Sequence, residues 1–162
     1  MLLSKQVPIV LSIIVAGTTA SRSTCKCGPT DSCWPAAREW AVLNATVGGR
    51  LIATVPAGSP CHTATQLAAG NSTTGSYNAT ACEAVQSDWH DPTFHEESSS
   101  SIMAPSFASN SCNPFSPAST PCVIGSYVRY AINVTEKAHV VAGLNFVNRH
   151  NIRLVIRNTG HE

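Results

Sequence analysis

Between residues 127 and 157 the sequence changes its hydrophobic period twice, and that succession constrains the fold more than any other stretch. From 127 to 134 it alternates, with Val128, Tyr130, Ile132 and Val134 on one side and Arg129 and Asn133 on the other. A period of two belongs to a strand with one buried face. Thr135 then stands where a helix N-cap belongs, and Val140, Leu144 and Val147 recur at i, i+4 and i+7 on the way to His150. Residues 152–157 return to a β-branched, apolar run. A strand, a helix of about four turns and a second strand make a βαβ unit. Such a unit predicts parallel strands joined by a right-handed crossover.

Upstream the chain is governed by cysteine. Seven occur, at 25, 27, 33, 61, 82, 112 and 122, so at most three disulfides form and one sulfur is left over. Cys112 and Cys122 bracket a Pro/Ser-rich loop and are the first candidate pair; Cys61 with Cys82 is the second. Six cysteines allow fifteen pairings, and spacing alone does not choose among them. A helix is expected after Cys33, with Ser32 as its cap, Pro35 in its first turn and Ala36, Trp40 and Leu43 on one face. A short apolar strand follows at 51–55, then a Gly/Ser/Thr/Asn-rich loop from 56 to 77. Thr80-Ala81-Cys82-Glu83 has the form of a capping box opening a second short helix, with Cys82, Val85 and Trp89 on one face. Residues 90–121 show no period and are expected to be a stapled surface extension outside the core.

The first 20 residues carry Lys5, an apolar run from Val7 to Ala16, and the small residues Gly17, Thr18, Thr19 and Ala20. This is the pattern of a cleaved secretory signal, and about ten apolar residues are too few to cross a bilayer. Four N-x-[ST] acceptors, at Asn44, Asn71, Asn78 and Asn133, agree with export and glycosylation. So does the cysteine content, since disulfides persist in oxidising compartments. Three segments are expected: a signal at 1–20, a cysteine-containing extension at 21–121, and the start of a second unit at 122–162. The protein is expected to be secreted, with no membrane anchor after cleavage.

Net charge is +1 and charged residues are 12% of the chain, so no basic surface exists to hold nucleic acid. Cys61, His62, His90 and His95 lack metal-ligand spacing, and no metal site is expected. His150, near the end of the last helix, reads as a dipole partner, and Glu96-Glu97 as solvated surface. No G-x-S-x-G motif supports a serine hydrolase.

After the second strand come Arg157, Asn158, Thr159, Gly160 and His161. Ligands gather beyond the carboxyl ends of parallel strands, and successive N–H groups in a glycine-containing turn suit phosphate oxygens. Residues 127–134, the helix, and the run Asn151 to His161 resemble the opening of the flavin-binding domain of secreted fungal FAD-linked oxidases. The family is the vanillyl-alcohol oxidase and berberine-bridge-enzyme superfamily, with a flavin domain of the type found in p-cresol methylhydroxylase (PCMH). Cys33-Trp34-Pro35, Leu51 to Thr54, Ser59-Pro60-Cys61-His62 and Ser98 to Pro105 extend the resemblance upstream. It implies an α+β fold: a disulfide-bearing N-terminal cap leading into the first βαβ unit of that domain.

The resemblance also implies FAD as cofactor, with His161 as the covalent attachment and Arg157, Asn158, Thr159 and Gly160 as the pyrophosphate turn. It implies hydride abstraction from an alcohol, sugar or secondary metabolite, with oxygen as acceptor. Glu162 stands where Asp is usual, and the family's catalytic base and substrate domain lie several hundred residues further on. A truncated chain, poor in FAD binding by itself, is therefore expected. The competing expectation is a small secreted glycoprotein, stapled by its cysteines, that acts by binding.

Overall fold

The computed structural model describes residues 25–68, 70, 72–101 and 109–159. The signal segment expected at 1–20 lies outside these residues, as do Asn71, Gly160 and His161. No described helix is long and apolar enough to cross a membrane.

Helix α1 spans Ala37–Thr46. It starts at Ala36, not Ser32, because Glu39 reaches back to accept the Ala36 N–H at 2.8 Å. Gly48 and Gly49, at φ +63° and +81°, supply the left-handed turn that ends it. The Asn44 side chain then accepts the Leu51 N–H at 3.0 Å and aims the chain into β1, Leu51–Ala53.

Strand β1 pairs antiparallel with β4, Tyr130–Ile132, in the register Leu51↔Ile132, Ile52↔Ala131, Ala53↔Tyr130. Helix α4, Lys137–Arg149, packs on α1 behind this pair. Trp40, Leu43, Val47, Phe146 and Ile152 form the main core, with Trp34, Tyr130, Ile132 and Val147 at its margin. Trp40 stacks on Tyr130 with centroids 4.0 Å apart and meets Phe146 at 4.7 Å. Truncating a buried aromatic of this kind costs about 3–5 kcal/mol.

Three expectations for this region need correction. Helix α4 buries His139 and Phe146, whereas Val140 and Leu144 are 41% and 40% exposed. The helix is apolar on two sides, and the side carrying the large Phe146 ring takes the Trp40 contact. Its N-cap is Glu136, not Thr135; the Thr135 N–H is instead accepted by His139 Nδ1 at 3.3 Å. Residues 153–157 join no ladder among the described residues, and only Ile152 bridges, in parallel, to Cys27. One side of β4 is already paired with β1, and a β-branched run forms a strand only where a neighbouring backbone is offered.

The middle of the chain is more ordered than its composition suggests. Within 56–77 lie a 3-10 turn at Ser59–Cys61 and a hairpin of β2, Ala64–Gln66, with β3, Ser72–Thr74. Helix α2, Ala79–Asp88, is capped by Asn78, whose side chain accepts the Ala81 N–H at 3.0 Å. Thr80 lies inside the helix, so the capping-box expectation was placed two residues late.

The disulfides are Cys27–Cys33, Cys61–Cys82 and Cys112–Cys122, which includes both candidate pairs. Buried His62 sits between the Thr120 carbonyl (Nδ1, 2.8 Å) and the Asn113 carbonyl (Nε2, 3.2 Å), pinning the last disulfide loop. Residues 90–121 are not only surface: His95, Ser101, Cys112 and Pro114 are buried, and α3, Pro92–Glu96, forms within them. The fold class is α+β, with contacts that cross the expected 121/122 division at β1–β4 and α1–α4.

Candidate functional site

The segment carrying the expected cofactor residues leaves α4 through Asn151, held at φ +52°. Asparagine tolerates this left-handed conformation better than other side chains with a Cβ. Its position is fixed on three sides. The Asn151 carbonyl accepts the Cys27 N–H at 2.9 Å, its Nδ2 donates to the Cys25 carbonyl at 2.8 Å, and its Oδ1 accepts from Lys26 Nζ at 3.1 Å. The Cys27–Cys33 lead is thereby knitted to the start of the segment.

At the other end the chain bends at Asn158 and Thr159, both exposed. Arg157, immediately before the bend, is half-buried and points its guanidinium into residues 95–101. Nη2 donates to the carbonyls of His95 (2.7 Å) and Glu96 (3.2 Å). Nη1 donates to the Ser98 carbonyl and, at 3.5 Å, to that of Ser101. A planar fork of donors suits several convergent acceptors better than a point charge does.

These carbonyls are themselves held in place. Asp91 caps α3 by accepting the Thr93 N–H at 2.9 Å. The His95 ring, 2% exposed, donates from Nε2 to the Trp89 carbonyl at 2.7 Å and is hydrogen-bonded through Nδ1 to the Ser101 hydroxyl, 2.6 Å away. The carbonyl can only accept, so Nε2 carries a proton, while the Ser101 hydroxyl can serve Nδ1 as donor or acceptor. Trp89 and Phe94 stand edge-on to the same ring, at 5.0 and 5.2 Å. No feature of the sequence signalled this network, because its members come from an aperiodic stretch and from a segment 56 to 62 residues away.

Of the expected pyrophosphate turn, Asn158 and Thr159 are exposed, whereas the Arg157 Nη donors are engaged by four carbonyls. The Arg157 Nη groups are thus spent on the protein's own backbone. Among the described residues, the group with metal-ligand proximity is Cys27, Asp31 and Cys33, and both sulfurs are spent in a disulfide. His90 is exposed and stacks on Phe115, Glu97 is exposed, and His150 caps the end of α4, 3.8 Å from Glu39. Burial pushes the Tyr127 phenol up, and does the same to Tyr130 against the opposing pull of Arg129; neither lies in the turn.

Of the glycan acceptors, Asn78 and Asn133 are exposed, and Asn44 is half-buried with its carbonyl oxygen engaged.

No family model matches the chain. Individual relatives do. It is 48% identical over 145 residues to the FAD-linked oxidoreductase sor8 of Hypocrea jecorina, covering 90% of this chain and 23% of the relative. It is 42% identical over 159 residues to the FAD-linked oxidoreductase ZEB1 of Gibberella zeae, covering 98% and 26%. The VAO-type flavoprotein oxidase VAO615 of Thermothelomyces thermophilus is 40% identical over 158 residues, covering 93% and 26%.

Two solved structures share the fold. The VAO-type flavoprotein MtVAO615 of Myceliophthora thermophila superposes with a TM-score of 0.76 at 42% identity, over 85% of this chain and 24% of that one. MtVAO713 of the same organism gives 0.71 at 30% identity, over 85% and 23%. The chain spans about a quarter of the length of the relatives it matches. Over nearly all of its own length, it is a homologue of the FAD-linked oxidoreductases of the VAO flavoprotein type.

Proposed function

We propose that this sequence serves a secreted FAD-dependent oxidoreductase, in which Asn158, Thr159, Gly160 and His161 form the turn that meets the cofactor and His161 is its covalent anchor. The observation that carries the reading is 40–48% identity, across 90–98% of the chain, to proteins named as FAD-linked or VAO-type. When bound, FAD supplies a two-electron acceptor for hydride from a carbon bearing oxygen or nitrogen. The substrate class is an alcohol, sugar or secondary metabolite, and oxygen reoxidises the flavin.

The chain's own part in this is positional. Asn158 and Thr159, in the bend after Arg157, are exposed, and successive N–H groups of a turn suit phosphate oxygens. Ile152, at the start of the segment, is buried in the core with Trp40, Leu43, Val47 and Phe146. The catalytic base is assigned to residues beyond those of this chain. Export through a signal at 1–20 fits the three disulfides. Of the acceptors described, the exposed Asn78 and Asn133 are the better glycan sites. The reading as a binding glycoprotein gains nothing from sor8, ZEB1 and VAO615, which are named as FAD-linked or flavoprotein.

The test is made in a chain that carries this sequence within the length of its relatives. The purified protein is expected to be yellow, to keep its flavin after acid precipitation, and to release it when His161→Ala is made. Acid-stable flavin in that variant assigns the anchor elsewhere. The 162-residue chain alone is expected to be colourless, and a stoichiometric flavin spectrum from it contradicts that part of the reading.

A further inference from the structure

We propose that Arg157 is a positioning residue for the cofactor turn, acting as a clasp that fixes the exit direction of the chain at Asn158 by binding the end of α3. The inference rests on the reading of that turn as the flavin anchor, and it assigns Arg157 a role other than contact with phosphate. Three observations carry it. The guanidinium addresses the carbonyls of His95, Glu96, Ser98 and Ser101 together, so its Nη donors are consumed within the protein. Those acceptors are anchored independently, by the Asp91 cap and by buried His95 between Trp89 and Ser101. In the segment that Arg157 closes, residues 153–156 are exposed and join no ladder among the described residues.

The backbone from Ile152 to Ile156 therefore runs between two fixed points, the Asn151–Cys27 junction and the Arg157 clasp. A reacting group must be held to a fraction of an ångström for its geometry to count, and a turn fixed at one end only does not meet that demand. The carbonyls at the end of α3 also carry partial negative charge, which favours a cation there. Lysine offers a single ammonium in place of the fork and reaches only part of the acceptor set.

The experiment uses a chain of the relatives' length and compares Arg157→Met, Arg157→Lys and, as a control on the same exposed segment, Arg153→Met. Two quantities are read: amide exchange at 95–101 and 157–159, and the fraction of flavin surviving acid precipitation. In Arg157→Met, exchange at both segments is expected to rise at least about tenfold and the acid-stable fraction to fall several-fold. Arg157→Lys falls between, and Arg153→Met matches the unaltered protein. Faster exchange with an unchanged acid-stable fraction reduces Arg157 to a structural tie and overturns the proposal. Unchanged exchange at 157–159 overturns it as well.

If Arg157→Met is not secreted, Arg157→Lys carries the comparison, and values equal to those of the unaltered protein refute the clasp. The anchor reading is judged separately by His161→Ala. Acid-stable flavin there removes His161 as the anchor and with it the role of Arg157 toward that residue.

Discussion

Gly58 illustrates how a single residue is fixed by space and not by conformation. Its φ is −74°, available to any residue, but a Cβ at this position meets the Cys112 carbonyl oxygen at 2.2 Å. That oxygen belongs to a buried, disulfide-bonded residue and has little room to move. Gly58→Ala is therefore expected to destabilise the chain by about 2–3 kcal/mol, at the upper end of overpacking costs. Urea unfolding measures it, and a midpoint within error of the unaltered chain shows that the 112–122 loop yields. Nothing in the sequence marks Gly58 as different from Gly48 or Gly49, because the contact comes from a residue 54 positions away. Arg157 poses the same difficulty. Its place beside Asn158 and Thr159 suggested a phosphate ligand, and only the folded positions of His95, Glu96, Ser98 and Ser101 show its donors engaged.

The elements were legible to different degrees. Helices α1, α2 and α4 were foreseen because each carries an apolar stripe, yet their starts were misplaced by one to four residues. Caps depend on which of several competent side chains the chain path brings round, and Asn78 and Thr80 are both competent. The structure makes the distinction testable, since Asn78 accepts the Ala81 N–H and Thr80 lies within α2. Asn78→Ala should cost about 1 kcal/mol, whereas Thr80→Ala should fall within about 0.5 kcal/mol of the unaltered chain. Both remove the same N-x-[ST] acceptor, so any glycan contribution cancels between them; unglycosylated material and denaturant unfolding give the cleaner comparison. Equal losses in the two variants would return the cap to Thr80. Strands β2 and β3, three residues each, were missed because a run that short shows no period above noise.

At the scale of the molecule, the α+β class and two of the disulfides were readable, but the antiparallel β1–β4 pair was not. Alternation places a strand's faces without naming its partner, and 77 residues separate the nearest paired positions, Ala53 and Tyr130. The same limitation left residues 152–157 expected parallel to the strand at 127–134, whereas among the described residues only Ile152 bridges, and its partner is Cys27. The consequence is physical. Leu154, Val155 and Ile156 are 44%, 68% and 77% exposed, on a backbone with no ladder partner among the described residues. An apolar run with unpaired N–H and C=O groups is a template for pairing with another chain, and charge on such an edge is what suppresses it. The purified 162-residue chain is expected to self-associate in sedimentation velocity as its concentration is raised. Val155→Lys with Ile156→Lys should shift it toward monomer while moving its stability by no more than about 0.5 kcal/mol per site, since neither side chain is buried. If the unaltered chain stays monomeric across that range, the edge is not adhesive. If the lysine pair instead unfolds the chain, these side chains support the core more than their exposure implies, and the Arg157 clasp is then not the main restraint on this segment.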